Sequence, residues 1–423
     1  MKPLFLLSIF PLLLAEALGQ EGLDPELPAS DSAQKWNMGD WCEWLSDKPG
    51  KLDLDKENPW LQSFRIGGRF NYQAAWVQGN DVNGLSFDDN YQEFRRLRLE
   101  SRTEFLQFFT AEVNWNLVDD TRFRRNTEGS VNFGEGPFDE ISLEFDIEKA
   151  LGLSFVDELK LKAGRMRLRL THEGHTSSRE IPTIERSSLE SILGGEAQRP
   201  TGVLLNLEKG PWDVTFGAFN ADENDNVISD WSEGVFYYGS IKLKASKNLD
   251  VILDYVHTDP SESFTSSGIS NALGFERAGA ISFVYEKKRW GASLIGAYGT
   301  NGEDDFQLLE RRQGAFYGVV ATPWIWLLKD RIQLVGQYQF LGSKESQGIQ
   351  IRSRYLRGEH DNPFVDDDNG RGDIYHHIYG GLNLHPCEKN MRIMLGVSYE
   401  NLATRNGGNL EALTYLVGFQ TFF

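Results

Sequence analysis

Residues 414–423 read TYLVGFQTFF and put two aromatics at the end of the chain. Tyr415, Val417, Phe419, Thr421 and Phe423 share one parity, and Leu416, Gly418, Gln420 and Phe422 share the other. Period two is the side-chain repeat of a strand, here running to the last residue. Chain ends of ordinary globular domains tend to be polar and poorly ordered. Two readings follow: the terminal strand of a soluble β-sandwich, or the closing strand of a transmembrane β-barrel, whose lipid face stays apolar to its end.

The other end of the chain bears on the choice. MKPLFLLSIFPLLLAEALG (1–19) reads as a secretory signal peptide. Lys2 supplies the positive start, Leu4 to Leu14 the apolar stretch, and Ala17-Leu18-Gly19 a small-x-small cleavage site. The stretch is too short to cross a bilayer, and Pro11 interrupts it. Nowhere else is there an apolar run of the roughly 18 residues that a transmembrane helix needs. The mean hydropathy of -0.42 suits a soluble protein and suits a barrel equally, because only alternate barrel residues meet lipid. The 62 acidic residues against 43 basic ones, a net charge of -19, argue against a nucleic-acid partner, which needs a basic surface. Cys42 and Cys387 are the two cysteines, with no CxxC pair, so neither a dense disulfide scaffold nor a zinc ribbon fits.

Between the ends, polar and apolar residues alternate over long stretches. RIGGRFNYQAAWV (65–77) sets Ile66, Phe70, Tyr72, Ala74 and Trp76 against Arg65, Arg69, Asn71 and Gln73. RLRLESRTEF (96–105) sets Leu97, Leu99 and Phe105 against Arg96, Arg98, Glu100, Arg102 and Glu104. TAEVNWNL (110–117) and ISLEFDIE (141–148) repeat the pattern. Continuing to 412–423, the count reaches about 16 strands. Short turns such as QF, KGP, SKN and KKR alternate with long polar loops, among them 78–92, 119–140, 171–199 and 341–372. An even strand count with short turns at one end and long loops at the other is the layout of an all-β, antiparallel outer-membrane barrel. The expected organisation is a signal peptide (1–19), a periplasmic extension or plug (20–63), and a barrel (64–423) whose third long loop, near 171–199, folds inward. A strand over 157–170 needs a slip near Gly164. Without it Arg165, Arg167 and Arg169 face lipid, at about 2–4 kcal/mol each near the midplane.

The chain resembles the phosphate-selective porin O and P family. The resembling stretches are DKENPWLQSFRIGGRFNYQAAWV (55–77), EFRRLRLESRTEFLQFFTAEVNW (93–115), LKLKAGRMRLRLTHEGHTSSREIPTIERSSL (159–189), YGGLNLHPCEKNMRIMLGVSYENL (379–402) and the terminal strand. The segment TSSREIPTIERS is the most specific of them. The resemblance implies a 16-stranded barrel, commonly a homotrimer, with a pore narrowed by the third long loop. It does not by itself imply phosphate.

The expected function is passive diffusion of small hydrophilic or anionic solutes, phosphate among the candidates, across the outer membrane of a Gram-negative-type bacterium. No cofactor or metal is expected. Arg65, Arg69, Arg96, Arg98 and Arg102 fall on the lumen parity, and Arg179 and Arg186 lie in the third loop, so these seven are the expected pore-lining set. Guanidinium groups bind phosphate or carboxylate bidentately. Glu100, Glu104, Glu112, Glu144 and Asp146 are the carboxylates positioned to offset them, which predicts a weak anion preference or none. A barrel hydrolase and a structural or adhesive surface barrel are the alternatives, although no GxSxG or HExxH is present. The acidic stretches DENDNVISDWSE (222–233) and VDDDNGRGD (365–373) read as solvated loops. Val227 stands where a calcium loop needs glycine. Cys42 and Cys387 are both expected on the short-turn, oxidising side, where a disulfide would tether the extension across the barrel mouth. Expected partners are outer-membrane lipid and, through Phe423, the machinery that assembles such barrels.

Overall fold

The computed structural model describes residues 39, 42–43, 45, 50–53, 58–118, 123–124, 138–194, 199–220, 235–259, 275–300, 315–343, 348–350, 353–356, 371–403 and 407–423. The signal peptide, most of the extension and nearly all of both acidic stretches lie outside these residues.

Among the described residues, sixteen antiparallel strands close into one barrel, and two short strands, Lys51–Asp53 and Phe123–Arg124, add to its sheet. They are β1 (Leu61–Asn80), β2 (Ser86–Phe105), β3 (Phe109–Asn116), β4 (Phe138–Asp146) and β5 (Glu158–Arg165). Then come β6 (Thr201–Lys209), β7 (Trp212–Asn220), β8 (Val235–Ser246), β9 (Leu249–Asp259), β10 (Arg277–Glu286) and β11 (Trp290–Thr300). The last are β12 (Phe316–Leu328), β13 (Ile332–Ser343), β14 (Ile374–Leu384), β15 (Met391–Ala403) and β16 (Asn409–Phe422). Each pairs with its successor, and β16 pairs back onto β1 from Asn80↔Glu411 to Arg69↔Phe422. The alternation dictates the two faces. Trp76, Leu99, Ile141, Phe216, Leu253 and Tyr415 are exposed outside, whereas Asn71, Gln73, Gln337 and Asn383 are buried inside. The terminal aromatics divide between the faces: Phe423 is exposed and Phe422 is buried.

Apart from the expected strand at 141–148, which ends at Asp146 where the helix Ile147–Leu151 begins, two segments depart from the sequence reading. The expected loop 78–92 is mostly strand. β1 and β2 stay paired to Asn80↔Ser86, and Asp81 caps a tight turn by accepting from the amides of Asn83 (2.9 Å) and Leu85 (2.7 Å). Polar residues need not end a strand that has risen above the apolar band, because the ladder can continue in water. The second departure is at 157–170. β5 ends at Arg165, and the parity change there marks the chain leaving the wall rather than a bulge in it. Met166, Leu168 and Leu170 are buried, none more than 4% exposed, inside the barrel. The inward loop therefore begins at residue 166, ahead of the expected 171.

This loop carries two short helices, after α1 (Ile147–Leu151) in the β4–β5 turn: α2 (Thr171–His175) and α3 (Ser188–Gly194). Its apolar side chains, among them Leu170, Ile184, Leu189 and Leu193, pack with wall residues such as Phe219, Phe316 and Leu341 in one cluster. Full burial of such a side chain contributes about 1.5–3 kcal/mol, so the loop is a core element.

The exit depends on Gly164, which has φ +129°; a Cβ there would lie 2.3 Å from the carbonyl oxygen of Ile141. Gly164→Ala is expected to cost about 1–3 kcal/mol or more through forced backbone strain. Tryptophan fluorescence during urea unfolding in detergent micelles measures this. An unchanged midpoint would show that the exit does not need glycine.

Candidate functional site

The inward loop spans the lumen because complementary groups on the far wall satisfy its backbone. Asp254 on β9 accepts from the Thr171 amide (2.9 Å) and lies 2.9 Å from His175 Nε2. Tyr238 Oη on β8 donates to the Arg169 carbonyl (2.6 Å), and the His172 amide donates to Ser282 Oγ on β10 (2.9 Å). Beyond α2, Gln337 on β13 donates to Glu173 (3.0 Å), and the Ser188 amide donates to Gln339 (2.9 Å). The tip is held by Asn383 on β14, which donates to the Pro182 carbonyl (2.7 Å). Arg392 on β15 donates to the Ile181 carbonyl (2.7 Å). Buried carbonyls and amides without such partners would each cost about 1–3 kcal/mol, so these wall residues determine where the loop can lie.

The seven arginines read from the sequence occupy different places. Arg65 pairs in register with Lys51 and Arg102 near the short-turn end, and its side chain is exposed. Arg102 is half-exposed there, 2.9 Å from Glu112 and 3.7 Å from Glu104. Arg69 and Arg179 share Glu100, Arg69 at 2.8 Å, and both guanidinium groups lie over the Phe422 ring, at 5.9 and 5.1 Å. Arg98 binds Asp139 and Asn116, each at 2.6 Å, and Arg199 takes the other oxygen of Asp139 at 3.0 Å. Arg186 donates to the carbonyls of Glu173 (3.0 Å) and Thr176 (2.9 Å).

Arg96 is different. It is 8% exposed, and the charges of Arg95, Arg98, Glu185 and Arg186 act on it. Among the described residues it makes no hydrogen bond or ion pair. The neighbouring cations are all engaged, Arg95 bidentately with Glu185 at 2.8 and 3.2 Å. Burial would raise the Glu185 carboxyl, but Arg95 and Arg354 hold it down, at about 2. Glu190 lies 3.7 Å from Arg167 and accepts from Thr171 Oγ1 at 2.8 Å; burial pushes its carboxyl up against the pull of Arg167 and Arg186.

Several members of the site escaped the sequence reading. Arg95 turns inward because the β1–β2 register slips: Asn71 pairs with Arg96, but Tyr72 pairs with Phe94. The signal was present in FRRLRL, where two consecutive arginines break the alternation at a bulge. A second inward segment, Ser353–Leu356, lay hidden in the long loop 341–372. Arg354 Nε donates to Glu93 at 2.6 Å, Tyr355 Oη to Gln73 at 2.9 Å, and Ser353 Oγ to Glu400 at 2.7 Å. Both partner carboxylates point inward from the wall.

The His175–Asp254 pair does not build a hydrolytic relay with its neighbour Ser240. Ser240 Oγ is 3.4 Å from Nε2, the same ring nitrogen that meets Asp254. A relay needs the carboxylate on one ring nitrogen and the hydroxyl on the other. The pair serves as an anchor for α2.

Comparison with known proteins agrees with this architecture. Residues 64–276 match the family described as phosphate-selective porin O and P. The outer membrane channel DcaP of Acinetobacter baumannii is similar in fold, with TM-score 0.53 at 12% identity over 88% of this chain and 100% of that one. The high-pH structure of OprB from Pseudomonas putida gives TM-score 0.55 at 11% identity over 85% and 94%. No curated protein matches in sequence.

Asp254→Leu removes the acceptor of two loop bonds, each worth about 1.5–3 kcal/mol. It is expected to raise single-channel conductance and expose Arg169 and Arg179 to trypsin. Unchanged conductance and unchanged protease resistance would contradict the anchoring role.

Proposed function

The chain belongs to the phosphate-selective porin O and P family, and from that premise we propose a passive outer-membrane pore that favours small anionic solutes over cations. The observation that supports the preference is Arg96: a buried guanidinium under the charges of Arg95, Arg98 and Arg186, with no hydrogen bond or ion pair among the described residues. A buried cation without a partner is costly, and an anion passing the constriction relieves that cost. Arg98, Arg167, Arg186 and Arg199 add positive charge around it, against Asp139, Glu185 and Glu190. The net charge of -19 is a property of the whole chain and does not set the field at this point. Guanidinium forks donate to phosphate and carboxylate alike, so phosphate is one member of the proposed solute class. No reaction is needed for this role.

Arg96→Ala with Arg98→Ala is expected to move the reversal potential in a salt gradient toward cations. Arg65→Ala, at the rim, is expected to move it far less. Equal shifts for the two variants, or none, would show that the constriction is not at Arg96.

The proposed assembly is a homotrimer, drawn from family membership. Its contacts are placed on the outer faces of β1–β3, around Ala74, Trp76, Ala111 and Trp115, with about 1,000 Å² or more buried per interface. Cross-linking in mild detergent is expected to trap a three-chain species. Only single chains after cross-linking would count against it.

A further inference from the structure

The segment before β1 touches the barrel at two points that flank the seam between β16 and β1. At the first, Cys42 and Cys387 are joined by a disulfide, their Cα atoms 4.9 Å apart. Cys387 lies in the turn between β14 and β15, and Asn390 of that turn donates to the carbonyl of the buried Leu45 at 3.0 Å. At the second, Lys51–Asp53 forms a short antiparallel strand on β1, with Lys51↔Arg65, Leu52↔Phe64 and Asp53↔Ser63 in register. The Ile66 amide donates to the Gly50 carbonyl at 2.7 Å.

That part of β1 has no cover from the closing strand. β16 runs out at Arg69↔Phe422, and Gly68 and Phe423 exchange the last two backbone bonds at 3.2 and 3.3 Å. From Leu61 to Gly67, β1 would otherwise show a free edge on this side, which is a template for unwanted pairing and the place where a seam begins to open. Residues 50–53 continue the ladder where β16 stops, and the disulfide holds the segment to the other side of the seam.

The same three strands carry the tip of the inward loop. Arg392 on β15 donates to the carbonyls of Ile181 (2.7 Å) and Ser178 (3.4 Å) and to Gln420 on β16 (2.7 Å). Arg69 on β1 donates to Ser178 Oγ, and Phe422 on β16 lies beneath Arg69 and Arg179. Loop residues 178–181 therefore rest on β15, β16 and β1, the strands that the segment fastens from the short-turn end.

We propose that the Cys42–Cys387 disulfide and the strand at 51–53 form a redox-sensitive clasp, which holds the barrel seam shut and thereby fixes the tip of the constriction loop. Opening it takes a dithiol reductant. Two electrons and two protons convert the S–S bond into two thiols, and the reductant leaves as its own disulfide. The segment then loses its covalent tie to the turn between β14 and β15, and the cover that residues 50–53 give the edge of β1 is weakened. The conductance readout below rests on the pore reading; the stability readout does not.

The test compares the full-length protein in three forms: unmodified, Cys42→Ser with Cys387→Ser, and Leu52→Pro. Proline cannot donate to the strand ladder but leaves both cysteines in place. Thermal unfolding in detergent is followed by gel mobility, and planar-bilayer current is recorded with and without dithiothreitol on the short-turn side. Thiol labelling reports the state of the cysteines. Reductant is expected to lower the unfolding midpoint of the unmodified protein by several degrees and at least to double its closure frequency. The double serine variant should start in that state and ignore reductant, and Leu52→Pro should approach it with the disulfide intact. An unmodified protein with fully reduced cysteines but unaltered midpoint and current would overturn the clasp. A lowered midpoint with unaltered current would overturn its link to the loop tip. If no form conducts, the pore reading fails, while the midpoints still decide whether the seam is clasped.

Discussion

The whole architecture depends on one constraint: backbone N–H and C=O groups within a bilayer must be bonded internally. A sheet can meet it only by closing on itself. Here closure is the β16–β1 ladder from Asn80↔Glu411 to Arg69↔Phe422. Phe423 ends the apolar outer face while Phe422 is turned inward under two guanidinium groups. The paired aromatics at the end of the chain thus serve two environments. One is exposed on the outer face, and the other supports the positive charge that the barrel encloses.

Closure creates a lumen, and the lumen imposes a second requirement. Charged and polar groups there are partly removed from water, so each needs a partner. The inward loop supplies many of those partners and takes its own from the wall: Asp254 with His175 and Thr171, Glu185 with Arg95, Arg392 with the carbonyls at 178 and 181. The second inward segment does the same through Arg354 and Glu93. A constriction built this way is stiff, because moving the loop would break many bonds together. Arg96 stands apart, buried and without a hydrogen bond or ion pair among the described residues.

Much of this was legible in the sequence where one face is apolar and exposed and the other polar. Residues 110–116 and 141–146 alternate so regularly that strand and face follow directly, although the same alternation at 147–148 belongs to the helix Ile147–Leu151. Legibility failed where the chain stops obeying a two-sided environment. Ala75 and Val77 are apolar yet point inward, because inward loops bury them, and period two has no means of announcing a loop that arrives from elsewhere in the chain. Met166, Leu168 and Leu170 changed parity for the same reason: they had left the wall. Arg95 joined the site through a single-residue bulge, visible only as a doubled arginine. The pairing of Glu185 with Arg95 and of Arg354 with Glu93 could not be read at all, since long-range partners depend on where two loops land.

The central claim is that the field at the constriction, and not the charge of the whole chain, decides what passes. The most direct measurement is the zero-current potential of the unmodified protein in a planar bilayer under a gradient of potassium chloride. A potential of the sign given by chloride-favouring transport is the predicted result, from a chain whose net charge is -19. A potential of the opposite sign would mean that the acidic groups govern the path and that the arginines around Arg96 do not line it.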